Sequence, residues 1–184
     1  LDITNKLSLE KLFKKEKFSH VIHMAAQAGV RDSIEKPGLF INSNIVGFGN
    51  IIELSAKNKI KKFAYASSSS VYGLNKTKPS DESEKCEKPA SIYGATKKAN
   101  ELIAHTYSHI HNLSTIGLRF FTVYGPWGRP DMALFKFTDA ILNRRKIEIY
   151  NFGKMERDFT YIDDIVKGIY KLINKIPSVN SKLK

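Results

Sequence analysis

The sequence predicts an α/β fold, a parallel sheet with helices on both faces, and three observations predict it. Short apolar runs at 18–26, 62–68 and 114–124 read as strands, and helical patterns separate them. Strands alternating with helices at this spacing call for right-handed crossovers and hence parallel pairing. Three unusual segments, HMAAQAG, SSSSVYG and FFTVYG, each fall at the carboxyl end of a predicted strand. Ligands sit at those ends in open α/β sheets, so the three segments point to one cleft.

Taken in order, 7–17 reads as a short amphipathic helix before the first strand at 18–26. That strand, FSHVIHMAA, is a nearly continuous apolar run of the kind expected when a sheet is covered on both faces. After Pro37, residues Phe40, Ile41, Ile45, Phe48, Ile51, Ile52 and Leu54 recur close to helical spacing despite two glycines. A second strand follows at 62–68. Residues 74–90 form a polar loop rich in Lys, Glu, Ser and Pro with no core-forming pattern, and long ordered loops in compact domains are usually functional. A helix is predicted over 91–111, a strand over 114–124, and a turn at Gly125-Pro126-Trp127-Gly128-Arg129-Pro130. A helix at 132–143, a strand at 147–150 and a helix at 162–174 complete the reading, with no internal repeat.

The chain has 184 residues, 42% hydrophobic and 26% charged, which is enough apolar content for one substantial core and excludes disorder or a disulfide miniprotein. Its formal net charge of +12 suits an anionic ligand, a nucleic acid or a membrane surface. The surplus is mostly lysine scattered along the chain, which reads as a solvated surface, and no nucleic-acid motif or clustered basic and aromatic face accompanies it. Neither nucleic acid nor membrane is expected as a partner. The one cysteine, Cys86, cannot form an intramolecular disulfide and suits a reducing cytosol. No stretch approaches the ~20 apolar residues of a membrane span, and the first residues lack a signal-peptide pattern.

Chemistry enters with Tyr93 and Lys97 in SIYGATKKANE. Four residues apart on a helix, they share a face, so the lysine ammonium can favour the phenolate and turn the tyrosine into a general base. Upstream, Ser67-Ser68-Ser69-Ser70 ends a buried-type strand and can present hydroxyls at the sheet edge to a substrate oxygen. Asp163 and Asp164 are adjacent on a helix and point in different directions, so a cap near the helix start is expected in place of a metal site. No metal is expected.

Four features occur here in the order of a known family: Ser-Ser-Ser-Ser-Val-Tyr-Gly, Tyr93-x-x-x-Lys97, Arg119-Phe120-Phe121, and Arg157-Asp158-Phe159 running to Asp163-Asp164. The chain resembles, over almost its whole length, the extended short-chain dehydrogenase/reductases, specifically the NAD-dependent nucleotide-sugar epimerases and dehydratases. The resemblance implies a Rossmann-like fold, with 1–125 part of the NAD-binding domain and 126–160 part of a substrate-binding region. A helix at 161–176 returns to the first domain and 177–184 is a tail. It implies that Tyr93 is the general acid/base, that Lys97 lowers its pKa and holds the nicotinamide ribose, and that Ser68 hydrogen-bonds the sugar O4, with Ser69 as the alternative. For the cofactor NAD it implies Asp2 and Ile3 beside the adenine, Ala25, Ala26 and Gln27 under the adenosine and pyrophosphate, and Asn44, Ser67 and Phe121 lining the site.

Dehydratases and decarboxylases of this family carry an acidic residue before Val-Tyr-Gly. This chain has Ser69 and Ser70 there, which argues for simple epimerisation. The segments AAQAGVRDS, SNIVGFGNIIE and TVYGPWGRPDMA resemble the UDP-glucuronate 4-epimerase branch. A C6 carboxylate needs a cation or hydroxyls, and Arg129, Thr122, Ser69 and Ser70 are placed for it by the resemblance; Arg129 as a cap of its own turn is the competing reading. Arg157 resembles the arginine for the UDP diphosphate, Tyr150 lies near the uridine segment, and Arg31 is a further candidate. The expected reaction removes the O4 proton to Tyr93 while the C4 hydride passes to NAD, and the 4-keto sugar turns and takes the hydride back on its other face. Another nucleotide sugar, such as UDP-glucose or a UDP-hexosamine, would use the same core residues. The resemblance also implies a homodimer pairing helices at about 38–58 and 91–111, and a cytoplasmic enzyme.

The family's glycine-rich pyrophosphate loop and the acidic residue after its second strand have no counterpart here. Both ends read as truncated. The functional expectations therefore describe a full-length enzyme, and a polypeptide of these residues alone is expected to expose an unpaired sheet edge and to bind NAD poorly.

Overall fold

Parallel pairing organises the computed structural model, which describes residues 1–75, 79–177 and 179. Strands β1 (His20–His23), β2 (Lys62–Ala66) and β3 (Ser114–Leu118) form a sheet in the order β1-β2-β3, with Val21 beside Phe63 and Phe63 beside Thr115. Each connection carries a helix across the sheet, as parallel neighbours require. The described residues divide into two compact units, those of 1–120 with those from 172 onward, and 121–171.

In the first unit, α1 (Lys6–Lys15) begins at Asn5, whose side chain accepts from the Ser8 amide, and buries Leu9 and Phe13. Helix α2 (Val30–Glu35) follows β1, a short helix with no counterpart in the sequence reading. The helical spacing noted after Pro37 is realised as three joined pieces. These are α3 (Pro37–Phe40) with Pro37 in its first turn, a π-helical stretch over Ile41–Gly47, and α4 (Phe48–Lys57). The π stretch widens the helix by its i→i+5 hydrogen bonding, a geometry frequently found at functional sites. Gly47 is required there, because a Cβ would stand 2.6 Å from the Ile3 side chain.

The core lies where α1, α4 and α5 (Ile92–His111) meet the sheet, around Phe48, Ile52, Phe63 and Leu113. Phe48 and Phe63 are fully buried and meet edge to face with ring centres 5.8 Å apart. Truncating either ring to alanine would cost about 3–5 kcal/mol.

After β2 a 3-10 turn, Ser69–Tyr72, leads into the polar loop. The loop has more structure than its composition predicts: Cys86 is buried against Val71 and Tyr72, and the Leu74 amide donates to Lys88 O at 3.1 Å. Part of that loop, 76–78, lies outside the described residues, as does the expected tail at 177–184 apart from Pro177 and Val179.

In the second unit, β4 (Thr122–Tyr124) pairs in parallel with β5 (Phe159–Tyr161), and α6 (Ala133–Leu142) and α7 (Ile162–Ile173) flank them in sequence. Two strand expectations are corrected here. The predicted strand at 114–124 is two strands in different sheets, because the pairing of β3 with β2 ends at Leu118 and that of β4 with β5 begins at Thr122. The predicted strand at 147–150 finds no sheet partner and enters a tight turn at Tyr150–Gly153, where Asn151 and Phe152 take left-handed backbone angles. Apolar alternation alone could not reveal that no neighbour was there to accept its hydrogen bonds. Asp163 and Asp164 lie in the first turn of α7, where the helix dipole favours carboxylates.

Gly73 ends the 3-10 turn at φ 54° and ψ −115°, and a Cβ there would lie 2.0 Å from Lys88 O. Replacing Gly73 with Ala is expected to cost about 3 kcal/mol in urea unfolding through combined strain and clash. A loss below about 1 kcal/mol would mean that the loop yields freely.

Candidate active site

Helix α5 carries the first chemical groups. Ser91 caps it, its Oγ accepting from the Gly94 amide at 3.0 Å. Tyr93 follows in the first turn and Lys97 one turn on. The Lys97 ammonium is almost wholly buried, donates to Ala66 O at the end of β2 at 2.8 Å, and lies 5.9 Å from the centre of the Tyr93 ring. Burial brings its pKa down to about 8. The Tyr93 ring also meets Phe40 edge to face, ring centres 6.3 Å apart.

The serine run packs directly on that first turn. A Cβ at Gly94 would meet Ser70 O at 2.6 Å, so only glycine allows the approach. Main-chain bonds from Ser67 N–H to Leu118 O (2.8 Å) and from Ser69 N–H to Phe120 O (2.9 Å) continue the sheet pattern beyond β2. The four hydroxyls then differ. Ser67 is buried and donates to Glu101 at 2.7 Å. Ser68 is buried and caps the 3-10 turn, its Oγ accepting from the Ser70 amide at 3.1 Å. Ser69 and Ser70 are half-buried.

The loop after β1 is held to the same helix by one side chain. Asn44, in the π stretch, accepts from the Gln27 amide at 2.8 Å and donates to Gln27 O and to Thr96 Oγ, each at 3.0 Å. Thr96 in turn donates to Tyr93 O at 2.8 Å. Behind them His23 is buried between the Phe48 and Phe63 rings, and burial, then the Lys97 charge, lowers its pKa to about 4.

Ala25, Ala26, Gln27, Asn44, Ser67, Ser68, Ser69, Ser70, Tyr93 and Lys97 all belong to the first unit, and from Gln27 onward these contacts tie them to α5 or to the serine turn packed on it. Asp2 and Ile3 belong to that unit but engage other groups: Asp2 accepts from Thr4, and Ile3 O accepts from Asn50 at 3.0 Å. Phe121, Thr122, Arg129, Tyr150 and Arg157 fall in the second unit. There the Thr122 amide donates to Asp158 O, Arg129 forms a two-point ion pair with Asp131, Tyr150 donates to Glu148, and Arg157 donates to Glu156 O. Arg31 is exposed at the start of α2. Glu101, Thr96 and His23 were not singled out from sequence. Glu101 had a legible signal, since it stands at the next i,i+4 step after Tyr93 and Lys97.

The pattern that defines the NAD dependent epimerase/dehydratase family matches residues 1–182. The chain belongs to that family. It is 60% identical over 174 residues to Protein CapI of Staphylococcus aureus, covering 95% of this chain and 52% of that protein. It is 57% identical over 171 residues to UDP-glucuronate 4-epimerase 4 of Arabidopsis thaliana, covering 91% of this chain and 39% of that one. Among solved structures it resembles the UDP-glucuronic acid 4-epimerase of Bacillus cereus, in complex with UDP-glucuronic acid and NAD, with a TM-score of 0.87 and 34% identity over 98% of this chain and 56% of the other. The chain therefore spans about half the length of CapI and less of the plant enzyme.

The residues present suit the hydroxyl groups that the family's cofactor would bring. Lys97 has three N–H donors, of which Ala66 O accepts one, and the Tyr93 hydroxyl has no hydrogen-bond partner among the described residues. A buried ammonium and a phenol with capacity to spare, side by side, are the donor set a ribose diol requires. No group of acidic, histidine or cysteine side chains suited to a metal occurs among the described residues.

His23 gives this family member a pH dependence of stability. The folded state keeps the imidazole neutral down to about pH 4, whereas the unfolded chain protonates it near 6.5. The unfolded state therefore takes up the proton first as pH falls, and stability is lost between about 6.5 and 4, by about 3 kcal/mol in all. Urea unfolding at pH 7 and pH 4.5 is expected to show a smaller loss for His23→Phe than for the parent. Equal losses would remove His23 from the account.

Proposed function

We propose that the protein to which this chain belongs interconverts UDP-sugars at C4, and that its substrates are UDP-glucuronate and UDP-galacturonate. The observation that carries the reading is the close packing of the serine turn on the first turn of α5, where Ser70 O comes against Gly94, the residue after Tyr93, and where the Tyr93 and Lys97 pair has unspent hydrogen-bonding capacity. The plant relative's name and the bacterial structure's bound ligand favour the glucuronate branch.

Tyr93 takes the proton from the sugar O4 and later returns it. Lys97 keeps a positive charge near the phenol, which favours the phenolate and holds the cofactor's ribose. Ser68, whose oxygen already accepts from the Ser70 amide, keeps its own proton to donate to O4 and to the 4-keto oxygen that replaces it. NAD, when bound, accepts the C4 hydride and gives it back. The 4-keto sugar turns between the two transfers, so the protein's contribution is positioning and pKa control. We place Asp2 and Ile3 beside the adenine, Ala25, Ala26 and Gln27 under the adenosine and pyrophosphate, and Asn44, Ser67 and Phe121 along the cofactor. Ser69, Ser70, Thr122 and Arg129 are assigned to the sugar and its carboxylate, Tyr150 to the uridine and Arg157 to the diphosphate. Residues 1–125 are read as part of the cofactor domain, 126–160 as part of the substrate region, and 161–176 as a helix of the former.

We further read the protein as a cytoplasmic homodimer. Leu39, Ile41, Val46, Leu102 and Ile110 expose apolar surface on the helices expected to pair, and the lone buried thiol of Cys86 suits a reducing compartment. Among the described residues no helix is long and apolar enough to cross a membrane.

The ion pair between Arg129 and Asp131 favours a second reading, in which the arginine braces its own turn and the substrate is a neutral UDP-sugar. NMR of products from UDP-glucuronate and from UDP-glucose, each with NAD, separates the two. UDP-galacturonate from the first with little turnover of the second is the expected outcome, and the reverse discards the carboxylate. Arg129→Ala is expected to raise the KM for UDP-glucuronate about tenfold or more while sparing neutral sugars, since it removes a bidentate charged contact. An equal effect on both substrates assigns Arg129 to the turn. Tyr93→Phe is expected to lower kcat by about 10²-fold or more, and near-normal turnover would end its assignment as acid/base.

A further inference from the structure

Glu101 lies two helical turns beyond Tyr93 on the same side of α5 and is not needed for the reaction as written. Its carboxylate nevertheless joins more elements than any other acid described. Oε1 accepts from Ser67 Oγ at 2.7 Å and from Arg119 Nε at 2.9 Å, while Oε2 accepts from Arg119 Nη2 at 3.0 Å and Lys98 Nζ at 3.3 Å. Arg119 extends the chain of contacts. Its guanidinium stacks 4.9 Å from the centre of the Tyr72 ring and donates from Nη1 to Glu82 O in the polar loop at 3.3 Å. Burial opposes the Glu101 charge, but Arg119, Ser67 and Lys98 outweigh it and hold the carboxyl below its usual range.

Both ends of the serine turn are thereby tied to this one carboxylate. Ser67 immediately precedes Ser68, and Tyr72 closes the 3-10 turn that Ser68 caps. Lys97 ties Ala66, the residue before Ser67, to the same helix. The turn can therefore shift relative to Tyr93 only by breaking charge-assisted bonds, which are the stronger kind. A displacement of about 1 Å between reacting groups costs on the order of 10²-fold in rate, so such a brace has catalytic consequences without touching substrate.

We infer that Glu101, acting through Ser67 and Arg119, is a positioning residue that fixes the distance between the Ser68 hydroxyl and the Tyr93 phenol. The inference rests on the epimerase reading for its kinetic arm and on geometry alone for its structural arm.

The test uses the complete protein as its gene encodes it, with Glu101→Ala, Ser67→Ala and the double variant. In molecules shown folded by circular dichroism, each single variant is expected to lose about 10- to 100-fold in kcat while KM for the UDP-sugar stays within about threefold. The double variant is expected to be no slower than the worse single, because both break one linkage. Amide hydrogen exchange over 66–72 is expected to quicken in all three. A kcat within twofold of the parent, additive losses, or unchanged exchange over 66–72 each overturns the inference. Ser67→Ala removes a single hydroxyl and decides the matter should Glu101→Ala not fold. If the parent converts no UDP-sugar, the functional reading falls, while the exchange comparison still decides whether the brace holds the turn.

Discussion

A single buried amide holds together the parts on which the site depends. Asn44 spends its oxygen and both N–H donors on Gln27 and Thr96, joining the loop after β1, the π-helical stretch and α5. Each bond contributes only about 1 kcal/mol net, but removing the amide would leave the half-buried N–H and C=O of Gln27 without their partner, at up to about 1–3 kcal/mol each, while the Thr96 hydroxyl keeps its bond to Tyr93 O. The amide is thus costlier to lose than its individual bonds suggest. It also lies in the middle of the π stretch, where the chain departs from regular helix.

Around that frame the protein separates two buried bases by protonation state. Lys97 and His23 lie close enough for the lysine charge to depress the imidazole further, after burial has already done most of that. Lys97 keeps its charge at neutral pH at a desolvation cost of about 3 kcal/mol, partly offset by the Ala66 carbonyl and the face of Tyr93. His23, given only aromatic rings, stays neutral. One cation beside the phenol and an uncharged layer beneath it is the arrangement that directs the lysine's field at Tyr93, because a second positive charge in the same low-dielectric space would raise the cost of the first.

What could be read from the sequence follows from which interactions are local. The helix bearing Tyr93 and Lys97, the parallel sheet and the serine run at the end of β2 were all legible, since apolar periodicity and the alternation of strands with helices are short-range signals. The split of 114–124 between two sheets was not, because Leu118 and Thr122 differ only in which neighbour accepts their hydrogen bonds. The fate of 147–150 failed for the same reason. The buried Cys86 was missed because a single apolar side chain in a polar loop leaves no period, and its burial depends on Val71 and Tyr72 from a distant segment. Glu101 had a local signal in its spacing from Lys97, but its partners Ser67 and Arg119 come from 34 residues before and 18 after it, and only the fold brings them to it.

These contacts explain why one helix can carry so much. Tyr93, Thr96, Lys97 and Glu101 reach α3, the π stretch, the end of β2 and the serine turn, respectively. Their mutual spacing is set by the helix rise of about 1.5 Å per residue and not by any loop. A loop-borne constellation would need each group fixed separately, whereas here a rigid rod fixes them together and the remaining elements are registered against it. A slip of one residue would rotate all four by about 100° and break every linkage at once. Gly94 marks the other requirement: with the groups on a rod, the serine turn must come to the rod, and the Ser70 carbonyl comes so near that no side chain fits between them. The geometry of the site is therefore decided by how closely one turn can approach one helix, a distance set by the absence of a methyl group.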